Sequence, residues 1–283
     1  MRKTIFRAAG VAGLAIAMLD FAGFGAFAAP AAQQDAWPQL ANDIFGGRPL
    51  ADGTGLLQIE MPSRAEDAAI VPVTVRATLA PAETRRVNAF TLVIDENPAP
   101  VAATFNIGRN SIVSSVSTRV RVNSYTNVHA VAELSDGKLY VVKTYVKASG
   151  GCSAPAVKNA DKAGFGQMRF RQFAQPAEAA ATNMREAQIM IRHPNNSGLQ
   201  MDQVTRLYIP AFFVQSLKIW QGDELVLAMD GSISISEDPN VRFTYAPNNS
   251  PSLRVEAIDT QDQVFKGHWL VGASGMERVE GDN

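Results

Sequence analysis

Residues 71–79 alternate: Val71, Val73, Val75, Ala77 and Leu79 are apolar, and Pro72, Thr74, Arg76 and Thr78 lie between them. Successive side chains of a strand point to opposite faces, so the run predicts a strand with one buried and one wet face. Residues 87–94, 101–107, 117–122, 128–134 and 139–147 read the same way. Asp136-Gly137 marks a hairpin turn between the last two, of the type that wants positive φ. Strands are expected again at 168–173, 187–193, 203–209, 216–220, 223–229, 232–236, 241–246, 252–258 and 263–271. Ser232-Ile233-Ser234-Ile235-Ser236 is a clean short alternation. One short helix, residues 35–46, precedes them all: Asp35 caps it, Pro38 sits in its first turn, Leu40, Ile44 and Phe45 make an apolar face, and Gly46-Gly47 ends it. No long helices alternate with strands, which argues against a parallel α/β enzyme fold. Two groups of short strands, each about 110 residues long, predict an all-β chain of two β-sandwiches.

Length agrees with two domains, since the chain has 283 residues. Lys+Arg 26 against Asp+Glu 27 gives a net charge of −1, which leaves no basic field for nucleic acid. Between the strand groups, residues 149–167 lose all periodicity. They begin Ser149-Gly150-Gly151-Cys152-Ser153-Ala154-Pro155 and read as a flexible linker. At the other end, Arg2, Lys3 and Arg7 precede an apolar run that closes on Ala26-Phe27-Ala28, the form of an export signal cleaved after Ala28. Asp20 and several glycines argue against a retained spanning helix. The leader carries no Arg-Arg pair, which favours the general export route. The mature chain is expected to be periplasmic, soluble and free of the membrane.

A single cysteine excludes an intrachain disulfide framework and a multi-thiolate metal site. Free cysteines are usually buried as small hydrophobes, but one in a glycine-rich linker gains little from packing. Cys152 therefore reads as a thiol displayed on a mobile segment, with Gly150 and Gly151 supplying reach; the plainer alternative is an incidental thiol. Lys143, Lys147 and Lys158 are close enough in sequence to favour thiolate. A Cys–His hydrolase would need His129, His193 or His268 beside Cys152. No metal-ligand spacing, Gly-x-Ser-x-Gly elbow or His-Glu-x-x-His occurs, and Gly53-Thr54-Gly55 opens no helix. Asp95-Glu96-Asn97-Pro98, Asn195-Asn196-Ser197 and Asn248-Asn249-Ser250 read as turns. No cofactor is implied.

Several blocks together resemble the sulfur-oxidation carrier pair SoxY and SoxZ joined in one chain. The SoxY-like blocks are Phe45-Gly46-Gly47-Arg48-Pro49-Leu50, Ala69-Ile70-Val71-Pro72-Val73-Thr74-Val75, Asp95-Glu96-Asn97-Pro98, Ala102-Ala103-Thr104-Phe105, Asn127-Val128-His129-Ala130-Val131-Ala132-Glu133 and Ser135-Asp136-Gly137-Lys138-Leu139-Tyr140, running up to Gly150-Gly151-Cys152. The SoxZ-like blocks are Ile191-Arg192-His193-Pro194 with Ser197-Gly198, then a strand ladder ending near His268-Trp269. The fused order is similar to SoxYZ-like carriers associated with quinoprotein dehydrogenases.

The resemblance implies two immunoglobulin-like β-sandwich domains that pair with each other. It divides the chain into a signal peptide (1–28), a SoxY-like domain (29–152), a linker (153–167) and a SoxZ-like domain (168–283). It implies a non-catalytic carrier with Cys152 as the covalent cargo-attachment site and Gly150 and Gly151 as its swivel. The partners would be periplasmic redox enzymes, such as a quinoprotein (PQQ) dehydrogenase and a c-type cytochrome. One departure stands out: the family's arm ends Gly-Gly-Cys-Gly-Gly, whereas here Ser153-Ala154-Pro155 follows and the chain continues. A thiol in a loop fixed at both ends reaches less far than one on a free tail. The alternative is a docking or assembly module for such a dehydrogenase, with Cys152 not required. A sulfur held deep among apolar side chains with its neighbouring backbone locked would remove the shuttle and leave only a scaffold.

Overall fold

Residues 35–80, 83–155, 164–173 and 183–271 are described by the structure, a computed structural model. The signal-peptide expectation and the linker residues 156–163 lie outside them. Helix α1 (Trp37–Phe45) comes first, with Pro38 in its first turn; Ala36, not Asp35, is its N-cap, and Gly46 closes it in the left-handed conformation at φ 62°. Fifteen strands follow among the described residues. In the first half these are β1 (Leu50–Asp52), β2 (Leu57–Glu60), β3 (Val71–Ala77), β4 (Val87–Ile94), β5 (Val101–Ile107), β6 (Val113–Val120), β7 (Thr126–Leu134) and β8 (Leu139–Val146). The second half contributes β9 (Met168–Phe173), β10 (Arg185–Ile191), β11 (Val214–Gln221), β12 (Glu224–Gly231), β13 (Asn240–Tyr245), β14 (Ser252–Asp259) and β15 (Val264–Leu270).

Alternation does what the sequence predicts in β3. Val71, Val73, Val75 and Ala77 are buried while Pro72 and Arg76 face solvent. Each fully buried valine contributes about 1.5–3 kcal/mol relative to an exposed one. The β7–β8 turn is also as expected: Gly137 takes φ 80°, and Leu134 N–H donates to the Lys138 carbonyl at 3.0 Å. The described residues are all-β apart from α1, and each half is a sandwich of the immunoglobulin-like kind.

The two sandwiches are joined edge to edge through both layers. One sheet runs β1-β8-β7-β4-β5-β12-β11-β14-β15 and the other β2-β3-β6-β13-β10-β9. In the first layer β5 pairs antiparallel with β12, placing Phe105 opposite Met229. In the second β6 pairs with β13, placing Val116 opposite Phe243. Strands that would have been bare edges of separate domains are thereby hydrogen-bonded.

Two expected strands are corrected. Residues 232–236 form a turn with a single bridge, Ile235 to Val120. The serine hydroxyls there stitch to carbonyls of the first half: Ser232 to Ala102 (3.2 Å), Ser234 to Ala99 (2.8 Å) and Ser236 to Ala69 (2.7 Å). Their alternation reflects this bonding, not a pleat. Residues 203–205 are a turn instead, and the rest of 203–209 is irregular apart from a bridge from Tyr208 to Met201, because Asp202 Oδ1 accepts from the Val204 and Thr205 N–H groups and Arg206 takes φ 61°. Strands β1 and β2 were not anticipated; they are short and carry no long alternation.

Candidate functional site

The seam between the halves contains Cys152. Beyond the end of β6, Val122 N–H donates to the Ala68 carbonyl (2.8 Å). Gly150 N–H then donates to the Asn123 carbonyl (2.8 Å), and Gly151 N–H to the Val122 carbonyl (3.0 Å). Residues 150 and 151 are thus held against residues 122 and 123 by backbone bonds. Gly151 is wedged: a Cβ there would stand 2.0 Å from the Ala68 oxygen and 2.7 Å from the Val122 oxygen. A Cβ on Gly150 would make only an ordinary contact, 3.9 Å from Ser153 Oγ, but the residue takes φ 78°. Both glycines serve close approach and a left-handed turn.

Cys152 itself is 0% exposed. A loop of the second half covers it. Ser197 donates its hydroxyl to the Cys152 carbonyl, Gln200 Nε2 donates to the Ala154 carbonyl (3.1 Å), and Gln200 Oε1 accepts from Ser197 N–H (3.1 Å). Asn195 anchors the loop: its Oδ1 accepts from Val214 N–H (3.1 Å), and its own N–H donates to His193 Nδ1 (3.1 Å).

Arg121 lies under the same seam and is 1% exposed. Its Nη1 donates to the Gly151 carbonyl and its Nη2 to the Asn195 carbonyl, each at 3.2 Å. The fork therefore bridges the halves. Asn97 steadies its backbone, donating to the Arg121 carbonyl (2.7 Å) and to Ser234 Oγ (2.9 Å) while accepting from Asn123 N–H (2.9 Å). Burial pushes the Cys152 thiol up from its ordinary range, and the Arg121 charge partly offsets this. In the closed seam the sulfur is a shielded neutral thiol beside a buried cation. Such a thiol is a poor nucleophile until it ionises.

The displayed thiol is corrected by this geometry, and so is the swivel reading of Gly150 and Gly151. Cys152 belongs to the packed seam, because the segment adds hydrogen bonds to both halves. Lys143 and Lys147 face solvent, and the cation acting on the sulfur is Arg121. Lys158 lies outside the described residues. No hydrogen bond or ring contact joins a histidine to Cys152 among the described residues. His129 Nδ1 lies 2.9 Å from Asp95 Oδ1, with Trp37 stacked on its ring at 3.6 Å. His193 is buried against Phe212 and Phe165, with Nε2 3.5 Å from Asp259 Oδ2. His268 is exposed on β15.

Arg121, Asn195, Ser197 and Gln200 escaped sequence reasoning. The available signals are Asn195-Asn196-Ser197, which reads as a turn, and Ser197-Gly198 in a SoxZ-like block; nothing in the spacing ties either to a cysteine more than 40 residues earlier.

Residues 41–152 match the family model of the sulfur oxidation protein SoxY, and residues 173–269 match that of the sulphur oxidation protein SoxZ. Among solved structures, the sulfur carrier protein SoxY from Chlorobium limicola f thiosulfatophilum is 27% identical, over 40% of this chain and 91% of that one, with a TM-score of 0.34. A superoxide reductase (neelaredoxin) from Ignicoccus hospitalis is 14% identical, over 32% of this chain and 79% of that one, with a TM-score of 0.29. No curated protein matches the chain.

Proposed function

We propose that this chain, a SoxY domain continued into a SoxZ domain, is a sulfur-oxidation carrier that holds a sulfur-containing group covalently on Cys152 while partner enzymes act on it. The observation that carries this reading is where the SoxY match stops: its last residue is Cys152, directly after Gly150-Gly151. The protein supplies the thiol and its surroundings, and the redox chemistry is the partners'. The leader-like residues 1–28 support a periplasmic location. The fused order of the two domains supports exported redox partners, a quinoprotein dehydrogenase and a c-type cytochrome among them.

Burial reshapes the proposal. A free arm no longer describes the site, so loading requires the Asn195–Gln200 loop to leave Cys152. The carrier is closed at rest and opens on a partner. The test is twofold. Protein isolated from the host periplasm without reductant is weighed intact, and Cys152→Ala is introduced into the host. A mass increment confined to Cys152, together with loss of sulfur-compound oxidation in the variant, is the expected result; a variant with unchanged sulfur oxidation overturns it.

One observation favours a second reading, a docking or assembly module in which the thiol is a packed side chain. Cys152 is fully buried and its preceding glycine is wedged between carbonyls. On that reading, Cys152→Ala recovers the same partners in a pull-down and leaves their activity intact.

A further inference from the structure

Arg121 stands out because its charge has no close opposite. Among the described residues no carboxylate lies within ion-pair distance of its guanidinium. Its two hydrogen-bonded partners are neutral carbonyls, and its Nε, also buried, has no hydrogen-bond partner. Glu237 and Asp67 act on it only through longer-range attraction. Burying a cation this way is unfavourable unless something compensates. Asn97 and Ser234 nonetheless hold Arg121 in place from both halves, its own backbone N–H donating to the Ser234 carbonyl at 2.8 Å. One Nη bonds the carbonyl directly before Cys152.

We propose that Arg121 is the positioning counter-cation of Cys152, stabilising negative charge on the sulfur inside the seam and so setting when the thiol becomes a nucleophile. At rest the thiol is neutral and the cation has only the longer-range attraction of Glu237 and Asp67. Loss of the thiol proton to solvent creates an anion, and the two form a buried pair. The reactive state thus adds an anion to the weak compensation that Glu237 and Asp67 give the cation at rest. Lysines at 143 and 147 cannot do this, since they point outward. The proposal rests on the carrier reading for its purpose, but its electrostatics are measurable without any cargo or partner.

The experiment is a thiolate titration of the purified full chain. Ultraviolet absorbance of the thiolate is followed against pH, with Cys152→Ala subtracted to remove tyrosine. Arg121→Gln, checked for folding by circular dichroism, is expected to raise the midpoint by about one pH unit, the size of effect that removal of a neighbouring buried opposite charge exerts. Arg121→Lys, which keeps the charge and loses the fork, is expected to stay within about half a unit of wild type. A purely structural Arg121 would change stability and leave the midpoint alone. An unmoved midpoint in folded Arg121→Gln overturns the proposal. Should Arg121→Gln fail to fold, Arg121→Met, neutral and of similar length, is read in its place: a raised midpoint supports the charge, and an unmoved one overturns it. None of these outcomes depends on whether Cys152 carries cargo in the cell, which the Cys152→Ala host experiment reads separately.

Discussion

The hydroxyl of Ser197 donates to the main-chain carbonyl of Cys152, so the second half of the chain closes over the last residues of the first. Opening the site means breaking that bond together with the one from Gln200 to Ala154.

Thiol labelling should show this closure. Cys152 in the folded protein is expected to react with an aromatic disulfide reagent far more slowly than in urea. Ser197→Ala removes a bond of about 1 kcal/mol, which favours the open form roughly fivefold. The labelling rate should rise by about that factor, and equal rates would show that the loop does not gate the sulfur.

The two glycines should respond differently to substitution. Gly151→Ala forces a methyl into the Ala68 and Val122 carbonyls and should destabilise by about 1–3 kcal/mol or more. Gly150→Ala meets no clash but must hold φ 78°, at about 1–2 kcal/mol. Urea denaturation measures both. Two silent substitutions would return the swivel reading to favour.

Acid should weaken the fold partly through His193. Burial holds its folded-state value below the ordinary 6.5, although Asp259 and Asp238 pull the other way and Asn195 N–H bonds its Nδ1. The unfolded chain binds a proton as pH falls past that ordinary value, and the folded chain resists. Stability from this group is therefore complete above pH 6.5 and is lost as pH falls towards the folded value. Urea midpoints measured from about pH 8 to about pH 5 should fall less steeply in His193→Gln than in wild type. Parallel slopes would assign the acid sensitivity elsewhere.

Heating should unfold both halves together. The β5–β12 and β6–β13 ladders make each sheet continuous across the seam. Calorimetry is expected to show one transition with matching calorimetric and van't Hoff enthalpies. Two separable peaks would mean that the ladders carry little energy.

Local structure was legible where the pattern of the residues is itself the cause. The valines of β3 and the Asp136-Gly137 turn lie where their periodicity and positive-φ preference put them. Ser232–Ser236 misled because serine oxygens bonding carbonyls of the other half repeat every second residue, as a pleat does. The lone Cys152 can be picked out in the sequence, but its surroundings cannot. Glycine next to cysteine signals backbone freedom when nothing else is known. Here the same glycines admit two carbonyls at distances no side chain would allow. Arg121 could not be found by alternation, because Val120, Arg121 and Val122 are all buried in succession where strand β6 has ended.

Continuity of the two layers has a consequence for how such a molecule comes into being. If the halves were made as unlinked polypeptides, each would present a pair of raw borders, one per layer, until it met its mate. Such borders recruit any extended peptide in reach. Tethering keeps the correct mate nearest from the moment of synthesis, so the fusion guards against stray aggregation as much as it secures a fixed stoichiometry.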